Sequence, residues 1–175
     1  MKSSLLLDLP AKIEKPKVFH EVQTYLEGEG FVLTNRDDTR PWGGFFYVDE
    51  KQAETFISTF FPHFSVDDFK GFDKLSPKIL LVAPQKRLSW QYHHRRSEIW
   101  KVIGGKVGVV VSETEEETPL RHLDVGTVIS LNQGQCHRLV GLDEWGIIAE
   151  IWQHTDPVNP SDENDIVRVQ DDFGR

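Results

Sequence analysis

The chain is poor in cysteine, in basic charge and in long hydrophobic runs. Its 175 residues include one cysteine, Cys136, so no disulfide forms within the chain and the fold does not depend on an oxidising compartment. The 20 basic residues face 28 acidic ones, and a formal net charge of -8 argues against the basic face that nucleic-acid binding requires. The apolar run Leu5–Leu7 ends at Asp8 and is too short for a secretory or membrane segment. We therefore expect a cytoplasmic protein that binds neither nucleic acid nor membrane.

Apolar residues are nevertheless abundant enough to build a core. Hydrophobic residues make up 38% of the chain, with 11 Phe and 5 Trp, and the length is typical of one structural domain. Residues 1–75 are predicted to form an extension packed on the main fold. Apolar residues recur at helical spacing in Lys17–Glu27 and in Glu50–Phe61, so a helix is expected in each. Short strands are expected at Phe31–Thr34 and Phe45–Val48, and a brief helix at Val66–Lys70.

From Ser76 onward, short segments rich in β-branched residues alternate with turn residues. Eight strands are predicted, at Lys78–Ala83, Leu88–His94, Glu98–Ile103, Lys106–Ser112, Leu120–Leu123, Thr127–Leu131, Cys136–Val140 and Gly146–Gln153. This pattern predicts an all-β sandwich or closed barrel whose core is residues 76–155. The tail at 156–175 is polar and is expected to wrap the surface.

Two neighbouring strands carry polar side chains on one face. Because side chains alternate along a strand, Ser89, Gln91 and His93 share a face, while the opposite face is largely apolar. A tight connection is expected to bring Glu98 of the next strand back near His93. Further on, His137 follows a turn and begins a strand. A polar face in such a strand indicates that it lines a cavity.

The spacing of these residues resembles the two motifs of the cupin superfamily. The first motif is matched by Gln91, His93, Glu98 and Gly105, and the second by Gly126, Gly134 and His137. Gln85 and Asn132 replace a glycine and a proline that are usual in the turns. The resemblance implies a double-stranded β-helix, or jelly-roll, barrel that binds one divalent metal ion. The metal ligands it implies are Gln91, His93, Glu98 and His137.

Residues 88–100, LSWQYHHRRSEIW, resemble the signature of type II mannose-6-phosphate isomerases, which often form the C-terminal half of a bifunctional guanylyltransferase/isomerase. Segments 40–43 and 164–175 resemble other parts of that family. Arg95 and Ile99 replace two histidines of the signature, so the exact sugar phosphate stays open. The resemblance implies a sugar-phosphate aldose–ketose isomerase that acts through a metal-stabilised enediol, with a homodimer as the expected assembly.

The ligand types limit the metal without fixing it. Imidazole and carboxylate suit zinc, manganese, cobalt or iron, and zinc is our first choice by resemblance as much as by chemistry. Two other functions remain open. Two histidines and one carboxylate also form the facial triad of iron-dependent oxygenases, and a cupin can be a non-catalytic sugar-binding protein.

Catalytic and substrate-binding residues are predicted from strand faces and charge. Glu150 is the candidate base, because it is the one acid in an apolar strand; a structural pairing with an internal cation or hydroxyl is the alternative. A phosphate group requires cations, and Arg95 and Arg168 are the first candidates. Ser89 either binds substrate or orients a ligand.

Overall fold

The computed structural model describes residues 9, 10 and 12–175, and the Leu5–Leu7 run lies outside them. The helices are α1 (Lys15–Gly28) and α2 (Ala53–Phe60), with 3₁₀ turns at Glu50–Gln52 and Val66–Phe69. The strands are β1 (Leu33–Asp37), β2 (Gly43–Val48), β3 (Lys78–Val82), β4 (Trp90–Tyr92), β5 (Arg96–Gly104), β6 (Val107–Ser112), β7 (Arg121–Leu123), β8 (Val128–Leu131), β9 (Cys136–Gly141), β10 (Gly146–His154) and β11 (Val167–Gln170).

The strands form two antiparallel sheets. The first has six strands in the order β1-β2-β3-β10-β5-β8, and the second has five in the order β11-β4-β9-β6-β7. Strands that are distant in the chain pair directly, as in β10 with β5 and β4 with β9. The fold is therefore the jelly-roll barrel that the sequence predicts.

The interior of the barrel is apolar along most of its length. Alternate residues of β10 and β3, such as Ile148 and Leu80, pack there with Trp100 and Val109 from the strands around them. Because a strand has a period of two, Glu150 and Trp152 follow Ile148 on the same inward face. This register places a carboxylate inside the barrel.

The outer face of the six-stranded sheet is covered by the two helices. Val18 and Phe19 of α1 and Phe56 of α2 pack in one cluster with Ile147 and Ile151 of β10. Strand β10 is thus buried on both faces, which explains why its sequence is apolar almost throughout. In the part of the chain that the structure describes, no helix is long and apolar enough to cross a bilayer.

The eight strands expected after Ser76 are all present, and the predicted all-β fold class is confirmed. The sheets also extend beyond residues 76–155. Strand β2 pairs with β3 on one side, and β11 of the polar tail pairs with β4 on the other. The tail therefore adds a strand beside the strand that carries Gln91.

Two turns show how the chain meets the geometry of the motif. Gln85 adopts φ 60°, the left-handed conformation that favours glycine. Gly105 adopts φ 67°, and a Cβ there would lie 2.2 Å from the carbonyl oxygen of Trp145. No side chain fits at that turn.

Candidate metal centre

Three side chains from three strands of the barrel converge at one point. His93 directly follows β4, Glu98 lies in β5 and His137 in β9. Glu98 Oε1 lies 3.2 Å from His93 Nε2, and Glu98 Oε2 lies 3.5 Å from His137 Nε2. One potential ligand atom from each residue lies within 4.8 Å of the others, and all three residues are buried. The sequence spacing predicted this convergence.

Each imidazole is held by a main-chain carbonyl on the side away from the cluster. His93 Nδ1 lies 2.7 Å from the carbonyl oxygen of Asp165, and His137 Nδ1 lies 3.1 Å from that of Gln135. Since a carbonyl only accepts, both Nδ1 atoms carry a proton, and both Nε2 atoms face the cluster. His137 Nε2 is buried and has no hydrogen-bond partner among the described residues.

The electrostatics keep the cluster in the protonation state that a cation requires. Burial lowers the pKa of His137 to about 4, so this imidazole is neutral at neutral pH. Burial alone would raise the pKa of Glu98, but the nearby His93 and Arg96 hold it well below its usual value. The cluster therefore offers one carboxylate and at least one neutral imidazole.

Gln91 lies at the cluster but presents its amide nitrogen to it. Its Nε2 is 3.4 Å from His93 Nε2, and its Oε1 accepts a hydrogen bond of 2.5 Å from Ser89. Rotation of the terminal amide by half a turn would exchange the two atoms and aim the oxygen at the cluster. Ser89 is almost fully buried, and its hydrogen bond sets the orientation of the Gln91 amide in this structure.

Arg96 supplies the positive charge that balances Glu98. Its Nε donates to Glu98 Oε1 at 2.8 Å, and its Nη2 lies 3.2 Å from His93 Nε2. The guanidinium stacks on Trp152, 3.7 Å from the ring centroid. Arg96 was not among the predicted site residues. The alternation of side chains along β5 could have identified it, because a residue two positions before Glu98 lies on the same face of the strand.

These donors fit a divalent metal ion of the kind expected. Two imidazole nitrogens and a carboxylate suit zinc, iron, manganese or cobalt. The buried, partnerless Nε2 of His137 is the strongest local sign, since an unpaired buried acceptor costs free energy. A bound cation would satisfy it.

Glu150 reaches the same region from the next strand. The indole nitrogen of Trp100 lies 2.7 Å from Glu150 Oε2 and 3.0 Å from Glu98 Oε2, so the two carboxylates share one N–H. Trp152 donates to the other oxygen of Glu150 at 2.5 Å. Burial, followed by the charge of Glu98, raises the pKa of Glu150 to about 8.

A cavity beside the cluster is lined by charged side chains. They are Arg40, Lys78, Arg96, Glu98, Glu150, Glu163, Arg168 and Arg175. Lys78 is buried, bonds to Glu163 at 2.7 Å and lies 4.0 Å from the centroid of the Phe45 ring. Nothing in the sequence indicates a role for Lys78 beyond its position at the start of an apolar strand.

The two predicted arginines occupy different environments. Arg168 of β11 lines the cavity, and its buried Nε has no hydrogen-bond partner in the part of the chain that the structure describes. Arg95 instead donates to the carbonyl oxygens of Asn159 and Pro160, at 3.0 and 3.1 Å. Arg95 therefore holds the C-terminal segment, whereas Arg168 faces the cavity.

The two sheets and the inward-facing cluster define a cupin barrel. The family model described as mannose-6-phosphate isomerase C-terminal matches residues 48–171, which include the whole cluster. The chain belongs to this family. No match was found among curated protein sequences.

Solved structures with a similar fold come from several kinds of protein. The capsular polysaccharide assembling protein CapF of Staphylococcus aureus is 15% identical over 81% of this chain and 32% of its own, with a TM-score of 0.49. A recombinant oxalate oxidase in complex with glycolate is 19% identical over 54% of this chain and 46% of its own, with a TM-score of 0.45. The DMSP lyase DddQ of Ruegeria pomeroyi is 16% identical over 55% of this chain and 44% of its own, with a TM-score of 0.44. The matched regions span less than half of each of these proteins.

Proposed function

We propose that this protein is a metal-dependent sugar-phosphate isomerase that interconverts an aldose and a ketose, with mannose 6-phosphate as the first substrate to test. The observation that carries the proposal is the His93–Glu98–His137 cluster beside a cavity that also contains Glu150. Membership of the mannose-6-phosphate isomerase C-terminal family supports this reaction class.

The proposed ligands are His93, Glu98 and His137, with Gln91 as the fourth after rotation of its amide. A bound divalent ion supplies a Lewis acid that polarises a carbonyl oxygen. Glu98 supplies the anionic ligand, and the neutral His137 offers its Nε2 lone pair to the cation. Trp100 donates to Glu98 and limits how far that carboxylate can turn.

Glu150 is the proposed base that moves a proton between adjacent carbons of the substrate. Its carboxyl group is held by two indole N–H groups, so its position is fixed before substrate enters. A pKa near the working pH is best for accepting and returning a proton, and burial moves Glu150 in that direction. Lys78 of β3 is paired with Glu150 across the sheet and supplies a positive charge nearby.

Arg168 is the proposed contact for the phosphate group. Among the described residues it forms no ion pair, and its buried Nε is free to donate. A guanidinium presents paired donors that match phosphate oxygens. Its place in β11, beside β4, sets it in the cavity wall next to the strand of Gln91.

Two measurements test the proposal. Metal analysis of protein purified without chelator is expected to give one divalent ion per chain, with zinc as the first expectation; iron would favour the oxygenase alternative. A coupled assay with mannose 6-phosphate, run beside His93→Ala and Glu98→Gln, is expected to show turnover only in the wild type. Absence of turnover of any C6 or C7 sugar phosphate by metal-loaded wild type would overturn the isomerase.

A further inference from the structure

Asp165, in the segment before β11, contacts both His93 and the turn that follows it. Its main-chain carbonyl oxygen accepts the Nδ1 proton of His93 at 2.7 Å. Its carboxylate accepts the main-chain N–H groups of His94 and Arg95, each at 3.0 Å. One residue therefore fixes the ring of His93 and the backbone immediately after it.

The carboxylate of Asp165 is itself tightly held. Ser161 Oγ donates to it at 2.6 Å, and the same hydroxyl accepts from Arg96 Nη1 at 2.8 Å. Asp165 is only 5% exposed. Burial alone would raise its pKa, but the hydrogen bonds from Ser161, His94 and Arg95 lower it, so the group is a carboxylate.

These contacts set the direction in which Nε2 of His93 points. A ring whose Nδ1–H is bound to a carbonyl has one tautomer, and its Nε2 then faces Glu98. The side chain of the same residue, anchored to the turn at 94 and 95, helps to hold the carbonyl that binds Nδ1 in place. The C-terminal segment is thereby joined to the cluster at the centre of the barrel.

We infer that Asp165 is a positioning residue for His93 and that metal affinity depends on it. The inference rests on the proposed metal site. It assigns the segment around Asp165 a role in assembling that site, in addition to covering the barrel. Loss of an outer hydrogen bond to a metal-bound histidine typically weakens metal binding by about 10- to 100-fold.

The test compares metal binding by wild type, Asp165→Asn and Asp172→Asn. Asn keeps the shape of Asp165 but can accept only through one oxygen, so at least one N–H of the turn loses its partner. Asp172 is the matched control, because it anchors the same segment through Arg87 at 2.6 and 2.9 Å without touching the cluster. Metal-free proteins are titrated with Zn²⁺ and with Co²⁺ against a chromophoric chelator.

The expected result is a Kd that rises about tenfold or more in Asp165→Asn and changes less than about twofold in Asp172→Asn. The Co²⁺ absorption spectrum should also change only in the first variant. In metal-free protein, ¹⁵N NMR of His93 should show protonated Nδ1 in wild type and a mixture of tautomers in Asp165→Asn. If Asp165→Asn does not fold, Ser161→Ala, which removes one donor to the carboxylate, is expected to weaken binding in the same direction.

Three results would overturn the inference, and they differ in what else they remove. Equal metal affinity in wild type and Asp165→Asn would make Asp165 a purely structural residue and leave the proposed function intact. Equal loss of affinity in Asp172→Asn would show that any loosening of the segment suffices. No binding of either ion by wild type would remove the proposed metal centre and the inference together.

Discussion

The replacement Glu150→Gln tests the mechanism most directly. Gln has the shape of Glu but cannot accept a proton, so the proposed base is removed while the cavity keeps its form. Loss of a general base typically lowers kcat by about 10² to 10⁴-fold. We expect a fall in that range for mannose 6-phosphate, with metal content unchanged because Glu150 is not among the proposed ligands.

The same replacement has a predictable effect on stability. The pKa of Glu150 is raised to about 8 from 4.5, so the folded protein binds its proton more tightly than the unfolded chain does. The protonated Glu150 therefore stabilises the folded state. This stabilisation is fully present below pH 4.5 and is lost as the pH rises towards 8. The change amounts to on the order of 5 kcal/mol, and Glu150→Gln should lack it. The variant should therefore gain stability relative to wild type between pH 5 and 8.

Denaturant unfolding of metal-free protein at several pH values measures this difference. Glu163→Gln is a control of opposite sign. Burial would raise the pKa of Glu163, but its bonds with Lys78 and Tyr47 lower it, so its carboxylate stabilises the fold above pH 4.5. Unchanged turnover in Glu150→Gln would remove Glu150 from the mechanism, and a relative stability that does not vary with pH would refute the raised pKa.

Three further predictions follow from the described contacts. His137→Ala should weaken Zn²⁺ binding by about 100-fold or more, because no other described imidazole replaces it at Glu98, and an unchanged Kd in the chelator titration would exclude it as a ligand. Arg168→Gln should raise KM for mannose 6-phosphate about tenfold with little change in kcat, and a loss in kcat alone would place Arg168 elsewhere in the mechanism. Burial lowers the pKa of His154 to about 4, so stability should fall by about 1–2 kcal/mol as pH drops from 6.5 to 4. His154→Asn should flatten that part of the pH curve, and a fall as steep as in wild type would contradict the assignment.

Much of the fold could be predicted because strands have a simple period. Alternation along the strand correctly predicted that Gln91 and His93 share one face. The match to the cupin motifs predicted that Glu98 and His137, which lie far apart in the chain, meet at the same point, and they do. These predictions depend on local geometry and on a strong family pattern.

The arginines show where a small boundary error matters. The sequence predicted β5 from Glu98, but the strand begins at Arg96. Two extra residues of strand place Arg96 on the face of Glu98 and leave Arg95 outside, against the C-terminal segment. The parity of the strand was available in the sequence, but its starting residue was not.

The role of the C-terminal segment could not be predicted in the same way. Its residues are polar, and a polar tail is typical of a solvated surface. Strand β11 forms because β4 offers a free edge, and Asp165 is buried because the turn after His93 presents two N–H groups. His94 and Arg95, which donate these two N–H groups, lie 71 and 70 residues before Asp165 in the chain. Such pairing has no local signal.

The double burial of β10 has a consequence for dissecting this protein. Removing residues 1–61 would uncover Ile147 and Ile151 and take away β2, which leaves β3 as an open strand edge beside an apolar surface. Such a fragment is expected to self-associate through that surface even with every proposed ligand intact. A fragment that contains the barrel should therefore keep α1 and α2, which cover the outer face of the six-stranded sheet.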